Sequence, residues 1–325
     1  MEFSKESPKI DAKSEIEHLS TEIRRQIRED LRKNGAVVGI SGGIDSSVVA
    51  ALCVRSLGRE NVLGVIMPEK DSSPDSRRLA EGLAIHLGID YVIEDITSTL
   101  EGFGCYERRD DAIKRIFPEY NSEYGAKITI ASNVLEKDSI NYFKLTIKSP
   151  GGETKSKRMP PKEYLQIVAA SNFKQRSRMA FLYYHAERLN RAVVGTGNKD
   201  EHELGFFVKY GDGGTDLKPI AHLYKVQIYQ LAKKLDIPAE IIKRIPTTDT
   251  YSSEVTQTEF FFGIDFGTLD AIWYGLENNI PANVVAKALG LTEDQVERVW
   301  KDIRQKQKTT SYLRREPIEI GLSDS

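Results

Sequence analysis

Ser41-Gly42-Gly43-Ile44-Asp45-Ser46-Ser47 combines the residue types that hold a phosphorylated ligand. Adjacent glycines let backbone approach an anion closely, and the free N–H groups of a following helix point at it. The hydroxyls of Ser41, Ser46 and Ser47 add donors. Asp45 is a carboxylate in an anion site; it repels bare phosphate and so implies a bridging cation such as Mg2+. No G-x-x-x-x-G-K-[ST] string is present, which sets this loop apart from the common γ-phosphate cradle. The bland alternative is a glycine-rich turn in which Ser and Asp merely cap a helix.

The elements around the loop favour the ligand-binding reading. Ile16, Leu19, Ile23, Ile27 and Leu31 recur at helical spacing. Asn34-Gly35 should stop that helix, with Gly35 as its left-handed cap. Ala36 to Ile40 then reads as a buried parallel strand that delivers the loop, and Val48 to Leu57 as the helix leaving it. Further short apolar runs at Asn61–Met67, Tyr91–Ile93 and Ala192–Val194 alternate with helices predicted at Pro74–His86 and Phe173–Leu189. That alternation predicts an α/β fold with a doubly wound parallel sheet, in which a strand–helix junction is where nucleotides bind. Residues 1–325 are expected to form one unit carrying an insertion over 102–161 and a helical region over 264–325. Within the insertion, Tyr142–Lys148 alternates with period two, Ser149-Pro150-Gly151-Gly152 signals a turn, and Glu153–Met159 completes a hairpin. Lys144, Lys148, Lys155 and Lys157 read as a solvated face. Helices are predicted at Thr268–Asn278, Pro281–Leu289 and Thr292–Lys308, with Thr292 and Gln295 as a capping box, followed by a frayed polar tail.

Composition narrows the class. Among 325 residues, 46 Lys+Arg against 48 Asp+Glu give a net charge of −2, which removes the global attraction that non-specific nucleic-acid binding needs. Two cysteines are too few for a disulfide framework or a four-thiolate zinc site. No apolar run approaches the roughly 18 residues of a membrane span, and the N-terminus lacks a signal-peptide core. A cytoplasmic enzyme with no nucleic-acid or membrane partner is the expectation.

The S-G-G-x-D-S-[ST] string resembles the PP-loop ATP pyrophosphatases, which cleave ATP between the α- and β-phosphates and activate an acyl group as its adenylate. A second block runs from Gly195-Thr196-Gly197-Asn198-Lys199-Asp200-Glu201 through Gly205-Phe206-Phe207-Val208-Lys209-Tyr210-Gly211-Asp212-Gly213 to Asp216. With Leu223-Tyr224-Lys225, Ile245-Pro246-Thr247 and the upstream Asn172–Met179, it resembles the NAD synthetase family, of the ammonia-dependent type. That resemblance implies ATP-dependent amidation of deamido-NAD to NAD by ammonia, with Mg2+ and a homodimer whose dinucleotide site lies between subunits. Gly39, Ser41, Gly42, Gly43, Asp45, Ser46, Ser47, Thr196, Lys225 and Thr247 would contact ATP. Asp45 and Glu201 would hold the metal, and Arg176, Lys209 and Asp216 would contact deamido-NAD. Asp45, Lys225 and Asp212 would be catalytic, Asp212 by deprotonating ammonium or orienting ammonia.

Some positions depart from that pattern. Gln175 replaces an alanine, Gln257-Thr258-Glu259-Phe260 stands where relatives carry Q-T-D-E, and Tyr312-Leu313 stands in place of a His-Lys pair. They leave open a paralogous ligase acting on a different carboxylate. Neither Cys53 nor Cys105 suits a glutaminase nucleophile, so ammonia should arrive free or from a separate glutaminase. A helix–turn–helix reading of Val284–Val299 founders on Glu293, Asp294, Glu297 and Asp302, which would repel phosphates.

Overall fold

The computed structural model describes residues 3–130, 134–135, 142–248, 252–253 and 255–320. The end of the polar tail, Leu322–Ser325, lies outside them.

Helix α1 (Ala12–Arg25) leads to strand β1 (Ala36–Gly39), and helix α2 (Ile44–Leu57) leads to β2 (Val62–Ile66). Then come α3 (Pro74–Leu87), β3 (Asp90–Ile93), α4 (Thr97–Gly102) and α5 (Cys105–Ile116). Strands β4 (Gly125–Ile130), β5 (Phe143–Lys148) and β6 (Thr154–Arg158) precede α6 (Pro161–Leu189) and β7 (Ala192–Val194). The remaining helices are α7 (Lys199–Leu204), α8 (Lys225–Lys234), α9 (Ala239–Lys243), α10 (Phe266–Glu277), α11 (Ala282–Leu289) and α12 (Glu293–Thr309).

Strands β3, β2, β1 and β7 form, in that order, a sheet with every pairing parallel. Side chains alternate across it. Ala36, Val38, Val62, Ile66, Ala192 and Val194 join Val48, Val49 and Leu52 of α2 and Ile228 of α8 on one face. Val37, Leu63, Val65 and Val193 pack on the other against Leu182, Ala186 and Leu189 of α6. Helices on both faces make the sheet doubly wound, as the alternating pattern predicts. Each fully buried valine contributes about 1.5–3 kcal/mol relative to exposure.

The structure corrects the helix-cap expectation. Arg32, not Gly35, takes the left-handed conformation, with φ 54°. Gly35 is required for space instead: a Cβ there would sit 2.0 Å from the carbonyl oxygen of Asn61. Helix α6 starts twelve residues before the predicted Phe173, because Pro161 at its first turn is a good helix start. The hairpin forms as β5–β6, and β4, unassigned from sequence, adds an antiparallel third strand. Thr292 and Gln295 do form a capping box. The tail is fastened rather than frayed up to Arg315, since Arg314 donates to the carbonyls of His202, Glu203 and Gln307.

Candidate active site

A cleft opens at the carboxyl ends of β1, β2 and β7. Its empty space is about 1760 Å³ with the open mouth counted in. The parallel sheet changes direction of progression between β1 and β7, and a ligand crevice belongs at such a point.

The turn between β1 and α2 forms the cleft's floor. Gly42 has φ +75°, and a Cβ there would meet the carbonyl oxygen of Ser76 at 2.4 Å, so only glycine fits. Ser41 Oγ accepts from the Gly43 N–H at 3.2 Å, while Ser46 Oγ and Ser47 Oγ donate to the Gly43 carbonyl at 3.1 and 2.8 Å. Helix α2 begins at Ile44 with no side-chain cap, which disposes of the reading of Asp45 as a capping residue. Asp45 instead reaches across the cleft. Its Oδ1 accepts from Asn198 Nδ2 at 2.9 Å, and its Oδ2 pairs with Lys225 Nζ.

Lys225 is fully buried at the first turn of α8. Burial pulls its pKa down, but the Asp45 and Glu201 carboxylates outweigh that and hold it above the usual lysine range. Asp200 Oδ2 accepts from the Lys225 N–H and Asp270 Oδ2 from the Val226 N–H, fixing the start of α8. Glu201 closes a capping box with Asn198 at the start of α7 and accepts from Gln257 Nε2 at 3.2 Å. Burial and the repelling charge of Asp45 push the Glu201 carboxyl up. Two carboxylates facing one cleft beside a single lysine are the donor set a hard cation satisfies. Among the described residues no group of three or more His, Cys, Asp or Glu could hold a metal alone. Mg2+ takes one or two carboxylates and completes its shell with phosphate oxygens and water.

Of the residues singled out from sequence, Gly39, Ser41, Gly43, Asp45, Ser46, Thr196, Glu201, Asp212 and Thr247 line the cleft, and Lys225 touches it through Asp45. Gly42 and Ser47 sit behind the lining. Asp212 Oδ1 accepts from the Val208 N–H at 2.7 Å. Although the residue has access to the cleft, desolvation by the protein around its carboxyl pushes that group up to about 6.

Arg176, Lys209 and Asp216 do not line the cleft. Arg176 is exposed and donates to the Lys209 carbonyl at 3.4 Å, the Lys209 ammonium donates to the carbonyls of Tyr312 and Arg315, and Asp216 accepts from the Tyr183 hydroxyl and the Val193 N–H. Residues not singled out from sequence do face the cleft: Arg178, Lys218, His202, Arg244 and Gln257. Arg244 braces the floor by donating to the Gly42 carbonyl at 3.3 Å and to Ser76 Oγ at 2.7 Å. Arg178 had a legible signal: two residues along a helix turn about 200°, so it must face away from Arg176.

Known proteins resemble this chain over nearly its whole length. The family model described as NAD synthase matches residues 15–116 and 108–317. The NH(3)-dependent NAD(+) synthetase of Rhizobium meliloti (strain 1021) is 50% identical over 311 residues, covering 96% of this chain and 92% of that one. That of Mesorhizobium japonicum is 46% identical over 315 residues, covering 96% and 98%. Among solved structures, the NH3-dependent NAD synthetase from Campylobacter jejuni in complex with the nitrate ion superposes with a TM-score of 0.63 at 24% identity, covering 96% of this chain and all of that one. The NMN synthetase from Francisella tularensis gives 0.61 at 20% identity, covering 97% and 100%. These two structures bear on the fold alone.

Proposed function

The chain belongs to the NAD synthase family, and from that premise we propose that it amidates deamido-NAD to NAD with ATP and ammonia, releasing AMP and pyrophosphate. The observation that carries this reading is the convergence of Asp45, Glu201 and Lys225 from three separate segments at one glycine turn.

The nicotinate carboxylate of deamido-NAD attacks the α-phosphorus of ATP, the bond to the bridging oxygen breaks, and pyrophosphate leaves. Ammonia then attacks the acyl carbon of the adenylate; it loses a proton, and AMP departs with the former carboxylate oxygen. The floor stabilises the charge that develops on the leaving pyrophosphate. Backbone N–H groups at the start of α2 and the Lys225 ammonium supply it, with Ser41, Ser46, Thr196 and Thr247 placed to orient the nucleotide. Asp45 and Glu201 would hold Mg2+, which when bound neutralises phosphate charge. Asp212 orients ammonia and takes its proton, a role its raised pKa suits because a base works best near the operating pH.

Arg176, Lys209 and Asp216 lie outside the cleft lining, Arg176 and Asp216 exposed, and a second copy of the chain would cover a dinucleotide seated on them. A homodimer is part of the proposal. Neither cysteine competes as a glutaminase nucleophile: both are buried, and burial pushes the Cys53 thiol up to about 12. Ammonia therefore comes free or from a separate glutaminase. Among the described residues no helix is long and apolar enough to cross a membrane.

The test is pyrophosphate release with ammonium over a panel of acids: deamido-NAD, nicotinate mononucleotide, nicotinate and aspartate. Release with deamido-NAD and formation of NAD are expected. Release with another acid alone overturns the substrate and leaves the adenylation chemistry standing.

A further inference from the structure

Four ionised side chains are sealed behind one wall of the cleft, and the proposed reaction uses none of them. The wall is the loop after β2. Met67, Pro68 and Ser72 face the cleft, as do Ser76 and Arg77 in the first turn of α3. Two carboxylates of the same loop point the other way: the side chain of Glu69 is 0% exposed and that of Asp71 is 9% exposed. Glu69 Oε1 accepts from Lys174 Nζ at 2.7 Å, and its Oε2 accepts from the Tyr106 hydroxyl at 2.7 Å and from the Asp71 N–H at 3.0 Å. Asp71 Oδ2 accepts from Lys174 Nζ at 2.9 Å and from Arg109 Nη1 at 2.5 Å. Arg109 and Tyr106 belong to α5, and Lys174, 1% exposed, belongs to α6. One turn along the same helix, Arg178 Nε donates to the Met67 carbonyl at 3.3 Å.

Burying charges costs about as much as their mutual attraction returns, so this network is a poor source of net stability. What it fixes is geometry. Glu69 grips its own turn from inside, while Ser72 Oγ accepts from the Glu69 N–H at 3.2 Å and the Ser72 N–H donates to the Glu69 carbonyl at 2.9 Å. Lys174 and Arg178 therefore clasp two points of the loop from one helix face. The wall also abuts the floor, since the Ser76 carbonyl occupies the space a Gly42 Cβ would need. A shift of the loop must alter the seat of whatever lies on that floor.

We propose that Lys174, through Glu69 and Asp71, is a positioning residue that sets the wall of the ATP seat. This rests on the reading that ATP occupies the cleft. The pairing makes a specific demand: Lys174 affects ATP affinity and leaves the second substrate's affinity alone.

The test is the ATP dissociation constant of the full chain by titration calorimetry with Mg2+, alongside the KM for deamido-NAD and kcat at saturating ATP. Lys174→Met keeps the apolar stem and removes the cation that Glu69 and Asp71 share, leaving Asp71 to Arg109, which also pairs with Asp110; it should weaken ATP binding about tenfold and move the other two parameters less than about twofold. The charge-balanced pair Lys174→Met/Glu69→Gln keeps a side-chain oxygen for Tyr106 and Asp71, and should weaken ATP binding only about threefold. If the single variant does not fold, the pair carries the test. Unchanged ATP affinity in the folded variants overturns the proposal, as does a fall in kcat or a rise in the deamido-NAD KM at unchanged ATP affinity. A wild-type chain that binds no ATP overturns both this proposal and the reading beneath it. If ATP binds but deamido-NAD is not amidated, the substrate reading fails while the affinity comparison still decides the role of Lys174.

Discussion

The floor of the cleft and the outer face carrying Arg176, Lys209 and Asp216 are organised by different means. On the floor the carboxylates are held by neighbours of the same chain: Asp45 by Asn198 and Lys225, Glu201 by Asn198 and Gln257, and Asp200 and Asp270 by backbone N–H groups at the start of α8. Lys225 is 0% exposed there. On the outer face Arg176 makes one long hydrogen bond, and Lys209 holds carbonyls of its own chain's tail. Preorganised charge in a water-poor site acts on a transition state without rearranging, whereas exposed charge is screened and weak until something covers it. On the proposed reading the floor serves the adenylation chemistry and the outer face the recognition of the acid.

Substitutions can break that contrast. The largest effect belongs to Lys225→Met, which leaves Asp45 and Glu201 repelling one another and removes the cation from the pyrophosphate seat. The kcat for NAD formation should fall about 10³-fold, and a loss below tenfold would remove Lys225 from the chemistry. Asp212→Asn should lower the rate with ammonium about 10²-fold and change its pH profile. With its carboxyl pushed up to about 6, wild-type Asp212 is ionised above that pH and loses its basic form as pH falls through it. Acid should therefore slow the wild type more steeply than the loss of free ammonia alone, and the asparagine variant should show only the ammonia component. Matching profiles would leave Asp212 without a proton-transfer role.

Gly42→Ala places a methyl group against the Ser76 carbonyl at a φ that L residues avoid. A strain of about 1–3 kcal/mol should weaken ATP binding about tenfold in calorimetry, and unchanged affinity would mean that the turn does not carry the nucleotide. The smallest effect belongs to the outer face. Arg176→Ala should raise the KM for deamido-NAD about fivefold and leave ATP affinity unchanged. A change in ATP affinity instead would erase the distinction between the two regions.

The floor was the most legible part of the molecule because its chemistry is local. Glycine next to glycine, a carboxylate and three hydroxyls fall within seven residues between an apolar run and a helix. Lys225 and Glu201 were legible only through resemblance, since nothing in their neighbouring residues brings α7 and α8 to the turn. Asn198, Arg244 and Lys218 were missed for the same reason: the topology places Arg244 and Lys218 in the cleft and Asn198 behind Asp45, and no spacing announces it. The role of Gly35 escaped because close approach of Asn61 is a tertiary fact, whereas a cap is a local one. Strand β4 did carry a period-two signal in Ala126, Ile128 and Ile130, short enough to be overlooked beside the longer alternation of β5.

The transfer of oxygen tests the central chemistry most directly. Deamido-NAD labelled with 18O in the nicotinate carboxylate should, in the presence of ATP and ammonium, give AMP carrying one labelled oxygen and pyrophosphate carrying none. Unlabelled AMP, label in pyrophosphate, or formation of ADP in place of AMP would contradict activation of the acid on this floor.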